Sequence, residues 1–137
     1  MIKEQAANMV FMALVIWREA RGECREAKEA VAGCILNRVK FSGWWGSGAM
    51  GVMFKPWQFS SVTDPKDKQL TKWPRPIDPS WRECLDVADQ AVSGKLVHPA
   101  PGADSYFDIS IPNPAWATDE IFVRQIGRIK FYNTDRK

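Results

Sequence analysis

A hydrophobic helical run leads directly into a charged segment near the start of the chain. Residues 9–17 are hydrophobic throughout, and Arg18-Glu19-Ala20-Arg21-Gly22-Glu23 follows them. A carboxyl group at Glu19 would sit at the end of a mostly buried helix, where burial disfavours its charged form. An acid that keeps its proton near neutral pH is suited to cleaving a glycosidic bond. On this local pattern alone, a solvated pair of Glu19 and Glu23 beside the two arginines is the commoner alternative.

The composition predicts one globular domain over residues 1–137, with no separate wall-binding module. Hydrophobic residues make up 45% of the 137 and charged residues 26%, which excludes a disordered chain. The net charge of +3 suits an anionic polymer such as cell wall, but the dispersed basic residues argue against nucleic-acid binding. Residues 9–17 are too few to span a membrane, and no small-residue cleavage site follows them. We therefore expect neither membrane insertion nor an export signal.

The hydrophobic periodicity predicts an α+β fold that is mainly α, with helices first and a small sheet later. Helices are expected over residues 4–20 and 26–40, and from the Asp78 cap to about residue 93, with a further helical turn near 49–54. Residues 41–81 otherwise form long loops, and strands are expected at 105–107 and over 125–133. Two lobes of this kind leave a cleft that suits a polymer.

Cysteine and metal chemistry are the first alternatives to weigh. The three cysteines leave at least one thiol unpaired, and the single histidine, His98, lacks partners for a zinc site. We therefore expect no metal and no other cofactor. Cys24 lies at the start of the second helix, where the helix dipole lowers a thiol pKa, so a cysteine peptidase using His98 stays open. Glu23 and Glu26 beside Cys24 disfavour its thiolate.

Two loop segments mix aromatic rings with hydrogen-bonding side chains, as a sugar-binding cleft requires. They are residues 54–62 and 102–108. Each could instead be a loop that its aromatic residues merely anchor, and a tryptophan-rich module without catalysis would look similar. The candidate substrate-binding residues are Gln58, Phe59, Ser60, Ser61, Tyr106, Phe107 and Trp116.

Taken together, the ordered segments of the chain resemble the SleB/CwlJ cell-wall hydrolases, which include the spore cortex-lytic enzymes. The resemblance begins with the E-A-R-G-E motif at Glu19 and the I-L-N-R-V segment in the second helix. It continues in the same order to the end of the chain. The matching segments are 16–23, 30–39, 51–54, 58–62, 103–107 and 126–132.

The resemblance implies a lysozyme-like fold related to lytic transglycosylases, and cleavage of peptidoglycan between N-acetylmuramic acid and N-acetylglucosamine. It assigns the catalytic acid to Glu19, and leaves Glu23 structural or supporting the motif's arginine. The family often has glycine where this chain has Arg18, and a cation there would lower the pKa of Glu19 unless it points away. The expected lack of an export signal resembles a phage endolysin, a monomer released to the wall through a holin.

The mechanism expected from this resemblance uses one enzyme carboxyl group. Glu19 protonates the glycosidic oxygen, and the C6 hydroxyl of the muramoyl residue attacks its own anomeric carbon to give a 1,6-anhydro product. Hydrolysis would instead need a second carboxylate about 5–9 Å away. Asp64, Asp104 and Asp108 are the candidates for that second group.

Overall fold

Three long helices make up most of the first two thirds of the fold. A computed structural model describes residues 3–41, 43–56 and 58–134, so Trp57 of the predicted aromatic loop lies outside the described residues. The long helices are α1 (Lys3–Ala20), α2 (Arg25–Lys40) and α5 (Pro79–Val92). Each was predicted from the sequence to within a few residues. Among the described residues, no helix is long and apolar enough to cross a membrane.

The start of α5 shows why these boundaries were predictable. The Asp78 carboxylate accepts a hydrogen bond from the Ser80 backbone N–H at 2.9 Å, and Pro79 occupies the first helical position. Gly94 follows the helix with a φ of 74°, a left-handed conformation that favours glycine. Local chemistry thus sets both ends of the helix.

The hydrophobic run of α1 lies at the centre of the core. Val15 and Ile16 are fully buried, and α1 packs most extensively against α5 and also against α2. In the described part of the chain between α2 and α5, the elements are all short, as the many glycines and prolines predicted. These are α3 (Gly48–Met53), α4 (Ser60–Thr63) and a 3-10 helix over Lys68–Thr71.

A three-stranded antiparallel sheet completes the α+β fold. The strands β1 (Ser105–Asp108), β2 (Phe122–Ile126) and β3 (Ile129–Tyr132) pair in the order β1-β3-β2. The prediction of a single strand over residues 125–133 is wrong, because the chain reverses at Gly127, whose φ is 57°. Alternation of side chains continued across this turn and concealed it.

Candidate active site

Glu19 lies in the last turn of α1, between two buried neighbours. Arg18 and Ala20 are buried, whereas Glu19 keeps an intermediate exposure to solvent. The hydroxyl of Tyr106, on strand β1, donates a hydrogen bond of 2.7 Å to Oε1 of Glu19. The helical part and the sheet therefore meet at this carboxyl group.

The surroundings of Glu19 favour its protonated form. Burial raises the pKa of the Glu19 carboxyl and is the largest influence on it. Hydrogen bonding to Tyr106 and Ser61 and the charge of Arg38 lower this pKa, and the charge of Asp67 raises it further. The net direction is upward, as required of a group that donates a proton.

Tyr106 is itself held in its neutral form. Burial and the neighbouring Glu19 raise the pKa of the Tyr106 hydroxyl well above its usual value. The Ser61 hydroxyl is buried and, among the described residues, makes no hydrogen bond of ordinary geometry, so its interaction with Glu19 is the weaker of the two. Tyr106 therefore acts as a neutral donor that orients one oxygen of Glu19.

A cavity of about 220 Å³ opens beside Tyr106. One of the residues that line it is Arg38 of α2, whose Nε donates a 2.6 Å hydrogen bond to the Asp104 carbonyl. The Arg38 guanidinium also lies 4.3 Å from the ring centre of Trp45 and 4.7 Å from that of Phe59. The lining residues are Arg38, Trp44, Trp45, Gln58, Ser105, Tyr106, Trp116 and Thr134.

Three of the candidate substrate-binding residues meet in this cavity, namely Gln58, Tyr106 and Trp116. Two others lie behind its walls. Phe59 is 1% exposed and packs under Arg38, and Phe107 is 7% exposed and stacks on Tyr132. These two rings have almost no free surface, so they shape the cleft from inside.

The two serines of α4 have separate surroundings. Ser61 is fully buried and faces Glu19, while its carbonyl accepts a 3.0 Å hydrogen bond from Arg18. Ser60 is exposed, and its hydroxyl donates a 2.6 Å hydrogen bond to Asp67. Ser60 also lines a second cavity of about 200 Å³, together with Asp64.

The candidates for a second carboxylate are all engaged elsewhere. Asp64 accepts from the Lys66 backbone, and Asp104 accepts from the backbone and hydroxyl of Thr134. Asp108 accepts from the Ser110 backbone and lies 3.6 Å from Arg128. The acidic side chain whose charge raises the pKa of Glu19 is Asp67, which the sequence did not reveal because it lies in a segment without periodicity. Arg38 was also missed, since it is one of many helical arginines.

The arginine beside the acid points away from it, which resolves the concern that the sequence raised. The Arg18 guanidinium donates to the carbonyls of Ser61 and Lys72 and lies 4.6 Å from the ring centre of Trp73. Glu23 is structural, because its Oε1 accepts a 2.8 Å hydrogen bond from the Arg128 backbone at the β2–β3 turn. It does not support Arg21, which donates to Gln69 at 2.6 Å.

The geometry argues against a cysteine–histidine pair. The His98 ring packs on Gly33; its Nδ1 accepts from the Ala100 backbone at 3.2 Å and its Nε2 lies 3.0 Å from the Ala103 carbonyl. Both nitrogens are thus engaged away from Cys24. Within the described ranges, no cluster of three or more His, Cys, Asp or Glu side chains could hold a metal ion.

The chain is similar to a known protein family and to spore cortex-lytic enzymes of two bacteria. A family model described as cell wall hydrolase matches residues 22–132, a segment that begins just after Glu19. A spore cortex-lytic enzyme of Oceanobacillus iheyensis is 32% identical over 121 residues, covering 88% of this chain and 40% of that protein. Another, from Halalkalibacterium halodurans, is 31% identical over 126 residues, covering 92% and 34%. The chain therefore spans about a third to two fifths of the length of these relatives.

Two solved structures share the fold over nearly their full length. The catalytic domain of the germination-specific lytic transglycosylase SleB from Bacillus anthracis has a TM-score of 0.70 at 27% identity, with 91% of this chain and 93% of that one covered. The catalytic domain of Bacillus cereus SleB has a TM-score of 0.72 at 27% identity, with 93% and 90% covered. Both likenesses agree with the predicted mainly helical α+β fold.

Proposed function

Because this chain belongs to the cell wall hydrolase family, we propose that it cleaves the glycan strands of peptidoglycan between N-acetylmuramic acid and N-acetylglucosamine. The observation that carries the proposal is the environment of Glu19. This carboxyl group has a raised pKa, a neutral hydrogen-bond donor at 2.7 Å and some remaining exposure. Those are the properties of a general acid that a substrate can reach.

The reaction that we propose is a transglycosylation without water. Glu19 gives its proton to the glycosidic oxygen, and the bond from that oxygen to the muramoyl anomeric carbon breaks. The muramoyl C6 oxygen then bonds to this carbon, and its proton passes to the Glu19 carboxylate. The acid is thereby regenerated, and the product carries a 1,6-anhydro ring. Glu19 alone is sufficient because the nucleophile belongs to the substrate and lies close to the reacting carbon.

The second half of the proposal concerns the cleft. The 220 Å³ cavity beside Tyr106 combines aromatic surface from Trp116 with hydrogen-bonding groups such as Gln58, a combination that suits an amino sugar with an acetamide group. Trp116 is 37% exposed and its ring is fixed edge-on against Tyr132 at 5.4 Å. A fixed ring of this kind can contact a sugar face without first being ordered.

A matched pair of substitutions within one motif tests the role of Glu19. Glu19→Gln keeps the shape of the side chain but removes the transferable proton, so release of fragments from purified sacculi should fall by about a hundredfold or more. Glu23→Gln is the control, since its amide oxygen can still accept the bond from Arg128. Glu23→Gln should leave the rate near that of the wild type. Equal rates for the wild type and Glu19→Gln would refute the proposal.

The products distinguish the two chemical outcomes. Mass spectrometry of the released disaccharide-peptides should show species about 18 Da lighter than reducing-end fragments, because no water is added. Reducing ends would instead mean hydrolysis and a second carboxylate. Release of stem peptides without glycan cleavage would favour an amidase, and binding without any soluble fragment would favour a wall-binding module.

The role of a phage endolysin stays a separate prediction. Its test is expression of the chain in the cytoplasm of a bacterial host with and without a membrane-permeabilising holin. Lysis that requires the holin and an intact Glu19 would support it. Lysis that is independent of the holin would contradict the expected route to the wall.

A further inference from the structure

The loop that follows α4 brings an aspartate close to the end of α1. Asp67 is held by two hydrogen bonds: its Oδ1 accepts from the Gln69 backbone at 2.8 Å, and its Oδ2 accepts from the Ser60 hydroxyl at 2.6 Å. Ser60 is the immediate neighbour of Ser61, the buried residue that faces Glu19. The carboxylate is therefore fixed in position and is not free to turn into solvent.

Two arginines at the end of α1 hold this loop. Arg18 donates to the carbonyls of Ser61 and Lys72, one on each side of Asp67 in sequence, and Arg21 donates to Gln69. Arg18 is 6% exposed, and its Nη2 has no hydrogen-bond partner among the described residues. These contacts direct the Arg18 guanidinium away from Glu19 and fix the segment that carries Asp67.

We propose that Asp67 is a positioning residue for the reaction, whose fixed negative charge opposes the positive charge of Arg38 and keeps the proton on Glu19. This inference rests on the proposed function, because it assigns Asp67 a role in that same proton transfer. In the part of the chain that the structure describes, the charged and titratable groups that act on Glu19 are Tyr106 from β1, Arg38 from α2 and Asp67 from this loop. Asp67 is the one of them that carries negative charge.

The pKa shifts of Arg18 and Glu19 both agree with a negative charge at Asp67. Asp67 raises the pKa of Arg18 against the lowering effect of burial, so the two charges stabilise each other. Asp67 also raises the pKa of the Glu19 carboxyl, in the same direction as burial. Asp67 therefore acts on the acid through space, while its own oxygens are bonded to Ser60 and Gln69.

The pH dependence of sacculus cleavage tests this role. Asp67→Asn keeps an oxygen that can accept hydrogen bonds but removes the charge. Activity that needs protonated Glu19 falls as the pH rises through the Glu19 pKa, so the alkaline limb of kcat/KM should move to lower pH, by roughly 0.3–1 unit. Asp89→Asn on α5 is the control for lost charge, since the Asp89 carboxylate accepts a long 3.4 Å bond from the Ser93 hydroxyl. Its pH profile should match that of the wild type.

The outcomes of this experiment distinguish a positioning role of Asp67 from no role in the reaction and from that of a reacting carboxylate. An unshifted limb in folded Asp67→Asn would overturn the proposal, whether or not Glu19→Gln is inactive. A loss of kcat of a hundredfold or more at every pH would also overturn it, because Asp67 would then be a reacting carboxylate. If Asp67→Asn does not fold, Ser60→Ala frees the Asp67 carboxylate instead. The same shift to lower pH is then expected, and an unchanged limb would contradict the proposal.

Discussion

The helical body and the wall of the cleft are built by different kinds of interaction. In the helical body, hydrophobic side chains such as Val15, Ile35 and Val87 are fully buried between α1, α2 and α5. In the cleft wall, single polar contacts join residues far apart in sequence, such as Tyr106 with Glu19 and Arg38 with the Asp104 carbonyl. Substitutions in the first region should therefore change stability, and those in the second should change chemistry.

The largest effect on stability should come from Ile35→Ala in α2. Ile35 is fully buried, and truncating such a side chain removes contacts and leaves a cavity, which typically costs about 2–5 kcal/mol. Chemical denaturation should show this loss, while activity per folded molecule stays near that of the wild type. A stable Ile35→Ala protein with low activity would break the contrast between the two regions.

In contrast to Ile35→Ala, the substitution Tyr106→Phe should change activity and not stability. The substitution removes the hydroxyl that orients Glu19, so kcat should fall about tenfold, the scale of one lost hydrogen bond to a charged or reacting group. Because this hydrogen bond lowers the pKa of Glu19, its loss should move the alkaline limb of the pH profile to higher pH. A limb that moves to lower pH, or an unchanged kcat, would contradict the role given to Tyr106.

The smallest effect is expected for Gln58→Ala. Gln58 lines the cavity, and its amide oxygen lies 3.5 Å from Arg38, a long and weak contact. Loss of a hydrogen bond to the substrate should raise KM about two- to fivefold and leave kcat and the melting temperature nearly unchanged. A large drop in melting temperature would mean that Gln58 supports the wall and does not contact the substrate.

The same contrast explains how much could be predicted from the sequence. Helix ends follow from local residues such as Asp78, Pro79 and Gly94, so the helical body was predictable. The hydrophobic run of α1 predicts burial around Glu19, but the prediction that Glu19 is the catalytic acid came from the resemblance to the cell-wall hydrolases. The β2–β3 turn and the position of Asp67 depend on contacts between distant segments, and one-dimensional periodicity does not contain them.

The role of a residue also depends more on its three-dimensional surroundings than on its position in a motif. Glu19 and Glu23 are four residues apart, yet one faces Tyr106 and keeps a raised pKa, and the other accepts a bond from the Arg128 backbone. Phe59 and Phe107 were selected as aromatic neighbours of polar residues, but such a pattern does not distinguish a ring in the cleft from one behind it. Burial in three dimensions makes that distinction.

The most direct test of the central claim is an NMR titration of the Glu19 carboxyl carbon in the wild-type protein, with Glu19→Gln used to assign the signal. The account predicts a midpoint above the value of 4.5 for an ordinary glutamate, because burial outweighs the hydrogen bonds and the charge of Arg38. It also predicts that the midpoint falls in Asp67→Asn and rises in Tyr106→Phe. A wild-type midpoint at or below 4.5 would contradict the claim that Glu19 is held ready as a proton donor.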